Sequence, residues 1–416
     1  MDTPQKNPES EAYQSVPEPE KPQQVRGSVW YAIGAIMIGV GAGLLYLFFS
    51  SEQTGTITQT AQTEPIVFAG ISPLTGDAAS FGQPIRQAAL LAQREINAAG
   101  GIGGRPIEMQ WHDGKCEGED AEAAARTILA DERVQVAVAG VCSNEFLASA
   151  PLFQERAVIS ISPSATSPLI SDLGPYVIRT APSDALAGRV AAQYARERME
   201  ASTAAVITED TLYTEGLRDV FIPEFEALGG TIVVNESYET GTIDFSSFVA
   251  SVVATEPDVI YILPQSPTPG VLITQALKEA GVTARLLTAE VMLIRDAIVE
   301  QAAILEGVTG IEVLFDEENP HAQEMLARYE AEFGLEAIYP SFMASMYDLM
   351  YLLKEAFENT DGSPNAIDAY LKSVTEWPGA SGVITFDENG DPLPIYSVRT
   401  ISDGEAPIVE LFEISR

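Results

Sequence analysis

The sequence predicts an α/β protein of doubly wound parallel sheets, in two copies. Three observations carry that expectation. Short β-branched and apolar runs recur along the chain, and segments with helical spacing of apolar residues separate many of them. This alternation places parallel strands beneath crossover helices on both sheet faces. The length, 416 residues, leaves room for two such units behind an N-terminal segment of different character.

That segment comes first. Residues 1–29 hold Pro4, Pro8, Pro17, Pro19 and Pro22 with few large apolar side chains, too little to bury, so they read as a disordered tail on the cytoplasmic side. Trp30 to Phe49 is an unbroken run of uncharged, mostly apolar residues. As a helix it would span about 30 Å, one hydrocarbon core, which predicts a transmembrane anchor with the lipid bilayer as partner. Gly34, Gly39, Gly41 and Gly43 would weaken a soluble helix there. Lys21 and Arg26 precede the run while Glu52 and Glu64 follow it, placing the N-terminus in the cytoplasm and the body outside. A signal peptide would have a shorter apolar core and a small-x-small cleavage site, so the anchor is expected to stay. Residues 50–64 read as a polar linker.

Strands are predicted at Ile66–Ala69, Ile107–Trp111, Val134–Val141, Val158–Ile161, Ala204–Ile207, Thr231–Val234, Val259–Leu263 and Val383–Phe386. A helix is predicted over Pro84–Ala98, where Ile85, Ala88, Ala89, Ala92 and Ile96 share one face. The cluster Gly100, Gly101, Gly103 and Gly104 follows that helix, whereas a dinucleotide-binding fingerprint precedes one; it is a helix stop and turn. Cys116 and Cys142 follow two consecutive strand regions. Outside the cell such a pair is most simply a disulfide, which would contribute about 3–4 kcal/mol. His112 and Asp113 lie nearby without a nucleophile and read as surface or supporting residues.

Composition narrows the chemistry. Against 60 Asp plus Glu stand 23 Lys plus Arg, a net charge of −37, which excludes nucleic acid and anionic headgroups as partners. Two His and two Cys leave little for zinc clusters or catalytic triads, and neither a metal nor a cofactor is expected. Ligands of open α/β sheets sit beyond the carboxyl ends of strands. Two hydroxyl-rich strand ends qualify: Cys142-Ser143-Asn144, with Ser143 as the expected N-cap of a helix over Glu145–Arg156, and Ser162-Pro163-Ser164-Ala165-Thr166-Ser167.

At these residues the chain resembles the leucine/isoleucine/valine-binding proteins, type I periplasmic binding proteins that serve ABC importers. The likeness runs through Ile71-Ser72-Pro73-Leu74-Thr75-Gly76, Phe81-Gly82, Ile96-Asn97-Ala98-Ala99-Gly100-Gly101, the Cys116/Cys142 pair and Ser162-Pro163-Ser164-Ala165-Thr166. It continues in Asp244-Phe245-Ser246, Pro257-Asp258-Val259-Ile260, Glu290 and Phe386-Asp387-Glu388-Asn389-Gly390-Asp391, covering roughly residues 65 to 403. The resemblance implies two lobes joined by three crossovers, lobe 1 over 65–182 and 315–391 and lobe 2 over 183–314 and 392–416. It implies a binding protein rather than an enzyme, with an L-amino acid of branched-chain or related type in the cleft and an ABC permease as partner. Position by position, Ser143 and Thr166 match the groups that hold the α-carboxylate. The carbonyl of Ser164, next to Ala165, and the carboxylate of Glu290 match those that receive the α-ammonium. Tyr213 matches an aromatic reaching across from lobe 2, and Phe81 stands where the family often has Tyr. After Val259–Leu263, Pro264-Gln265-Ser266-Pro267 replaces residues that are aromatic in several members, so Gln265 joins the candidates and a polar amino acid or an amide or urea-type ligand becomes an alternative. A ligand-sensing ectodomain of the same fold is the other reading; with 29 residues before the apolar run, it would need a separate signalling partner.

Overall fold

The computed structural model describes residues 64–76 and 78–413. The tail and anchor, and all but Glu64 of the linker, lie outside them. Among the described residues no helix is long and apolar enough to cross a membrane.

Strands β1 (Ile66–Ser72), β2 (Ile107–Asp113), β3 (Val134–Val138), β4 (Ile159–Ser162) and β5 (Val177–Arg179) form a parallel sheet in the order β2-β1-β3-β4-β5. Helices α1 (Ala79–Ala98), α2 (Gly118–Ile128) and α3 (Ser143–Gln154) make the return passes. Every residue of β1 is buried, as a parallel strand covered on both faces requires.

The chain then passes to a second unit. Helix α4 (Asp184–Glu197), β6 (Thr203–Glu209), α5 (Leu212–Ala227), β7 (Thr231–Tyr238), α6 (Ser246–Thr255), β8 (Val259–Leu263), α7 (Pro267–Glu279) and β9 (Arg285–Ala289) alternate regularly. Short helices α8 (Arg295–Glu300) and α9 (Ala302–Leu305) precede β10 (Thr309–Val313). The chain returns to the first unit with α10 (Pro320–Phe333), α11 (Pro340–Asn359), α12 (Pro364–Lys372) and the small hairpin β11 (Trp377–Pro378) and β12 (Val383–Ile384). It crosses a third time to β13 (Ile395–Thr400) and β14 (Ile408–Glu413), which extend the second sheet to β14-β13-β10-β9-β8-β6-β7. The cores divide accordingly. One pair of apolar clusters draws on residues 66–178 and 315–386, the other on residues 187–313 and 396–401.

Several expected elements are corrected. Helix α1 starts at Ala79 with Pro84 inside it, although proline most often marks a first turn. The strand expected over Val134–Val141 ends at Val138, and the remaining residues carry the chain off the sheet to Cys142. The run Val383–Phe386 is no strand of the main sheets; only Val383–Ile384 pairs, with Trp377–Pro378. The last two strands are antiparallel to their neighbours, and the Asp403-Gly404 turn, both residues at positive φ, folds β13 and β14 into a hairpin.

Candidate functional site

Cys116 and Cys142 are joined, with Cα atoms 5.3 Å apart. Glu145, in the first turn of α3, secures the same corner. Its carboxylate accepts backbone N–H groups of Cys116 (3.0 Å), Val141 (3.0 Å) and Cys142 (3.1 Å). Burial pushes Glu145 up to about 7 against the pull of those donors. Cys142 is the N-cap and Ser143 the first helical residue, a correction by one position. The Ser143 hydroxyl is buried and accepts the N–H of Ser167 at 3.1 Å, so the two hydroxyl-rich strand ends do meet.

The second strand end is braced from within. Ser162 Oγ donates to the Gly140 carbonyl (2.7 Å) and accepts the Ala165 N–H (3.0 Å), while Ser164 Oγ donates to the Val141 carbonyl (2.8 Å). Arg179, fully buried in β5, donates to the carbonyls of Ala165 (3.3 Å) and Ser167 (2.8 Å). Thr166 is thereby fixed between two restrained neighbours. Its carbonyl accepts the Asp184 N–H at 2.8 Å, and its hydroxyl bonds the Asp184 carboxylate.

From the second unit come Tyr213 and Glu290. Tyr213 is buried in the first turn of α5 and donates its hydroxyl to Glu290 Oε1 at 2.9 Å. Glu290 opens the 3-10 turn that follows β9. It is half-buried, with one flank facing a cavity of about 490 Å³ that Thr166, Asp184 and Phe342 also line.

Asp184 is a candidate that sequence reasoning missed. It is 2% exposed, and its Oδ2 has no hydrogen-bond partner among the described residues. Burial and then the charge of Glu290 hold its carboxyl well above the usual carboxylate range, against the Thr166 hydrogen bond and the charge of Arg179. Burial also raises Glu290. The hydroxyls of Tyr213, Tyr261 and Tyr396 are all pushed up, first by burial and then by the charges of Asp184 and Glu290. Two buried carboxylates sharing one cavity are costly until a cation with several N–H donors arrives.

The other candidates sit at the margin. Phe81 packs edge-on against Tyr339 and Phe342, ring centres 5.0 and 5.5 Å away, an aromatic wall behind Phe342. Gln265 follows β8, and its backbone N–H binds Glu209 Oε2 at 2.8 Å rather than the Asp184–Glu290 pair. Asp113 accepts the backbone N–H of Leu74 (2.8 Å) and of Lys115 (3.2 Å), a supporting role.

A family model described as "Periplasmic binding protein" matches residues 65–404. The chain belongs to that family. Its fold is the two-lobed type I architecture, and its relatives include leucine/isoleucine/valine-binding proteins. One, from Pseudomonas aeruginosa, is named a leucine-, isoleucine-, valine-, threonine- and alanine-binding protein; it is 27% identical over 352 residues, 83% of this chain and 92% of the relative. A leucine binding protein from Thermotoga maritima superposes with a TM-score of 0.76 at 26% identity, covering 84% of this chain and 99% of the other. A solute binding protein of an R. palustris ABC transporter, solved with 4-hydroxybenzoate, has a TM-score of 0.75 at 20% identity, covering 84% and 97%, and shares the fold. The chain is thus a solute-binding protein and not an enzyme.

In this binding protein the lobes touch across the cleft. Asn144 Oδ1, in α3, accepts the Leu212 N–H of α5 at 3.0 Å, and Arg295 of the second unit pairs with Glu336 of the first. Gly216 lies inside α5, where glycine costs about 1 kcal/mol relative to alanine. A Cβ there would stand 2.7 Å from Pro168 Cδ on the opposite lobe. Gly216→Ala is expected to stabilise α5 and to hinder closure by about 1–3 kcal/mol, weakening ligand affinity about fivefold or more. Calorimetry giving an unchanged Kd would refute that closing role.

Proposed function

We propose that the protein captures an L-amino acid, of branched-chain or related type, between its lobes and delivers it to an ABC permease. In this reading lobe 1 comprises 65–182 and 315–391 and lobe 2 comprises 183–314 and 392–416. Residues 30–49 tether the body to the membrane on its extracytoplasmic side. Ser143 and Thr166 receive the α-carboxylate through hydroxyls and backbone N–H groups. The Ser164 carbonyl, Glu290 and Asp184 receive the α-ammonium, and Tyr213 and the Phe81 wall bound the side chain. Binding draws contacts from both lobes and so shifts an open–closed equilibrium towards the closed form.

The observation that carries this reading is the Asp184–Glu290 pair, two buried carboxylates facing one cavity with an unpartnered oxygen. It calls for an ammonium. It also argues against benzoate-type anions, which would bring a further negative charge to that pair. A thermal-shift screen of the purified protein against amino acids, amides, urea and benzoates tests the assignment. Stabilisation by at least one amino acid is expected; stabilisation by benzoates alone would overturn it.

A further inference from the structure

The cavity reaches well beyond the Asp184–Glu290 pair. Its walls are formed in part by all three chain crossings, where Pro182, Val313, Leu314 and Ile395 give an apolar lining. Three more carboxylates stand in the same lining, Glu312, Asp316 and Glu318. Among the described residues that line it, His321 alone could carry positive charge. Arg399 meets Glu312, Nε to Oε1 at 2.5 Å, yet is not part of the lining. Burial, followed by the charge of Glu290, still leaves Glu312 pushed up to about 7 in spite of that guanidinium. One α-ammonium therefore leaves this cavity with uncompensated negative charge.

Resting on the amino-acid reading above, we propose that the ligand is an L-diamino acid whose second ammonium, on a methylene chain, lies beside Glu312 and Asp316. Three features support this choice. Buried Asp184 belongs to the same lining, and its Oδ2 has no hydrogen-bond partner among the described residues. The apolar crossings suit methylenes between two charged ends, as long cationic side chains commonly lie. A volume of about 490 Å³ falls in the range of pockets that enclose ligands larger than a single branched side chain, about 300–1,000 Å³. The net charge of −37 also draws cations toward the cleft at low salt.

Titration calorimetry on the full chain with L-ornithine, L-lysine, L-leucine and putrescine tests it. A diamino acid is expected to bind at least tenfold more tightly than L-leucine and than putrescine, which lacks the carboxylate. Glu312→Gln should weaken diamino-acid binding tenfold or more and leave L-leucine within twofold. Asp316→Asn, at an exposed position that poses no folding hazard, should act in the same direction by threefold or more. L-leucine binding as tightly as the diamino acids, or both variants moving both ligands alike, overturns the inference while the amino-acid reading stands. Putrescine binding most tightly, or no heat with any of the four, removes the amino-acid reading and this inference with it.

Discussion

Glu290→Ala lowers amino-acid affinity by more than tenfold, because truncating one partner of a buried, hydrogen-bonded charge pair costs about 2–5 kcal/mol. The same change should not harm the ligand-free fold. Glu290 contributes repulsion to Asp184, and among the described residues its carboxylate is bonded by the Tyr213 hydroxyl and its own backbone N–H. Removing it relieves like-charge crowding, so the ligand-free melting temperature should hold or rise while binding falls. A merely structural Glu290 would show the opposite pairing. The pH dependence provides a second reading. Asp184 and Glu290 both have folded-state carboxyl groups raised above their unfolded values. The stability these groups contribute is therefore present below the ordinary carboxylate range and lost as pH rises through the folded values. A ligand ammonium offsets that loss, so ligand-induced stabilisation should grow from acid to neutral pH, less steeply in Glu290→Ala. Calorimetry and melting curves over that range check both statements, and an unchanged Kd in the variant would show that Glu290 does not receive the ammonium.

Much of this was legible in the sequence, and what was not has physical reasons. Ser143 and Thr166 could be read because each follows a strand and precedes a turn or helix, where exposed N–H groups gather. Glu290 stood out as a charge directly after an apolar strand. Asp184 did not, since Ser183-Asp184 reads as an ordinary helix start, and Ser183 does cap α4. The role proposed for it depends on Glu290, a residue more than a hundred positions away that the fold of the second unit brings close. The C-terminal hairpin was readable in principle, since Asp403-Gly404 between two β-branched stretches is a strong hairpin signal. Val383–Phe386 misled in the other direction. Its apolar run satisfies the core as a two-residue strand and loop, with Ile384 and Phe386 buried and no place in a main sheet. Gly216 gave no sequence signal, because its neighbour Pro168 belongs to the other lobe.

Arg179 was equally invisible, and its removal is expected to cost the most stability. The side chain is fully buried, with Nε 2.6 Å from Asp391 Oδ1 and Nη2 2.8 Å from Oδ2. Ser171 Oγ bonds both partners, at 2.8 Å to Arg179 Nη2 and 2.5 Å to Asp391 Oδ2. Arg179→Met strands Asp391 in the interior and should lower unfolding free energy by about 3–5 kcal/mol, measurable by denaturant titration. Replacing both partners with apolar residues, Arg179→Met with Asp391→Leu, should recover much of that loss, since desolvating the pair is itself expensive. It should not recover binding. Arg179 is also the donor to the carbonyls of Ala165 and Ser167 that flank Thr166, and a methionine offers them nothing. Asp391 stands where the chain begins its third crossing, and Arg179 ends the last strand before the first. One guanidinium thus ties the proposed carboxylate loop to two of the three connections between the lobes. Stability restored together with full affinity in the double variant would show that the loop keeps its shape unaided; stability restored with affinity still reduced tenfold is the result this geometry requires.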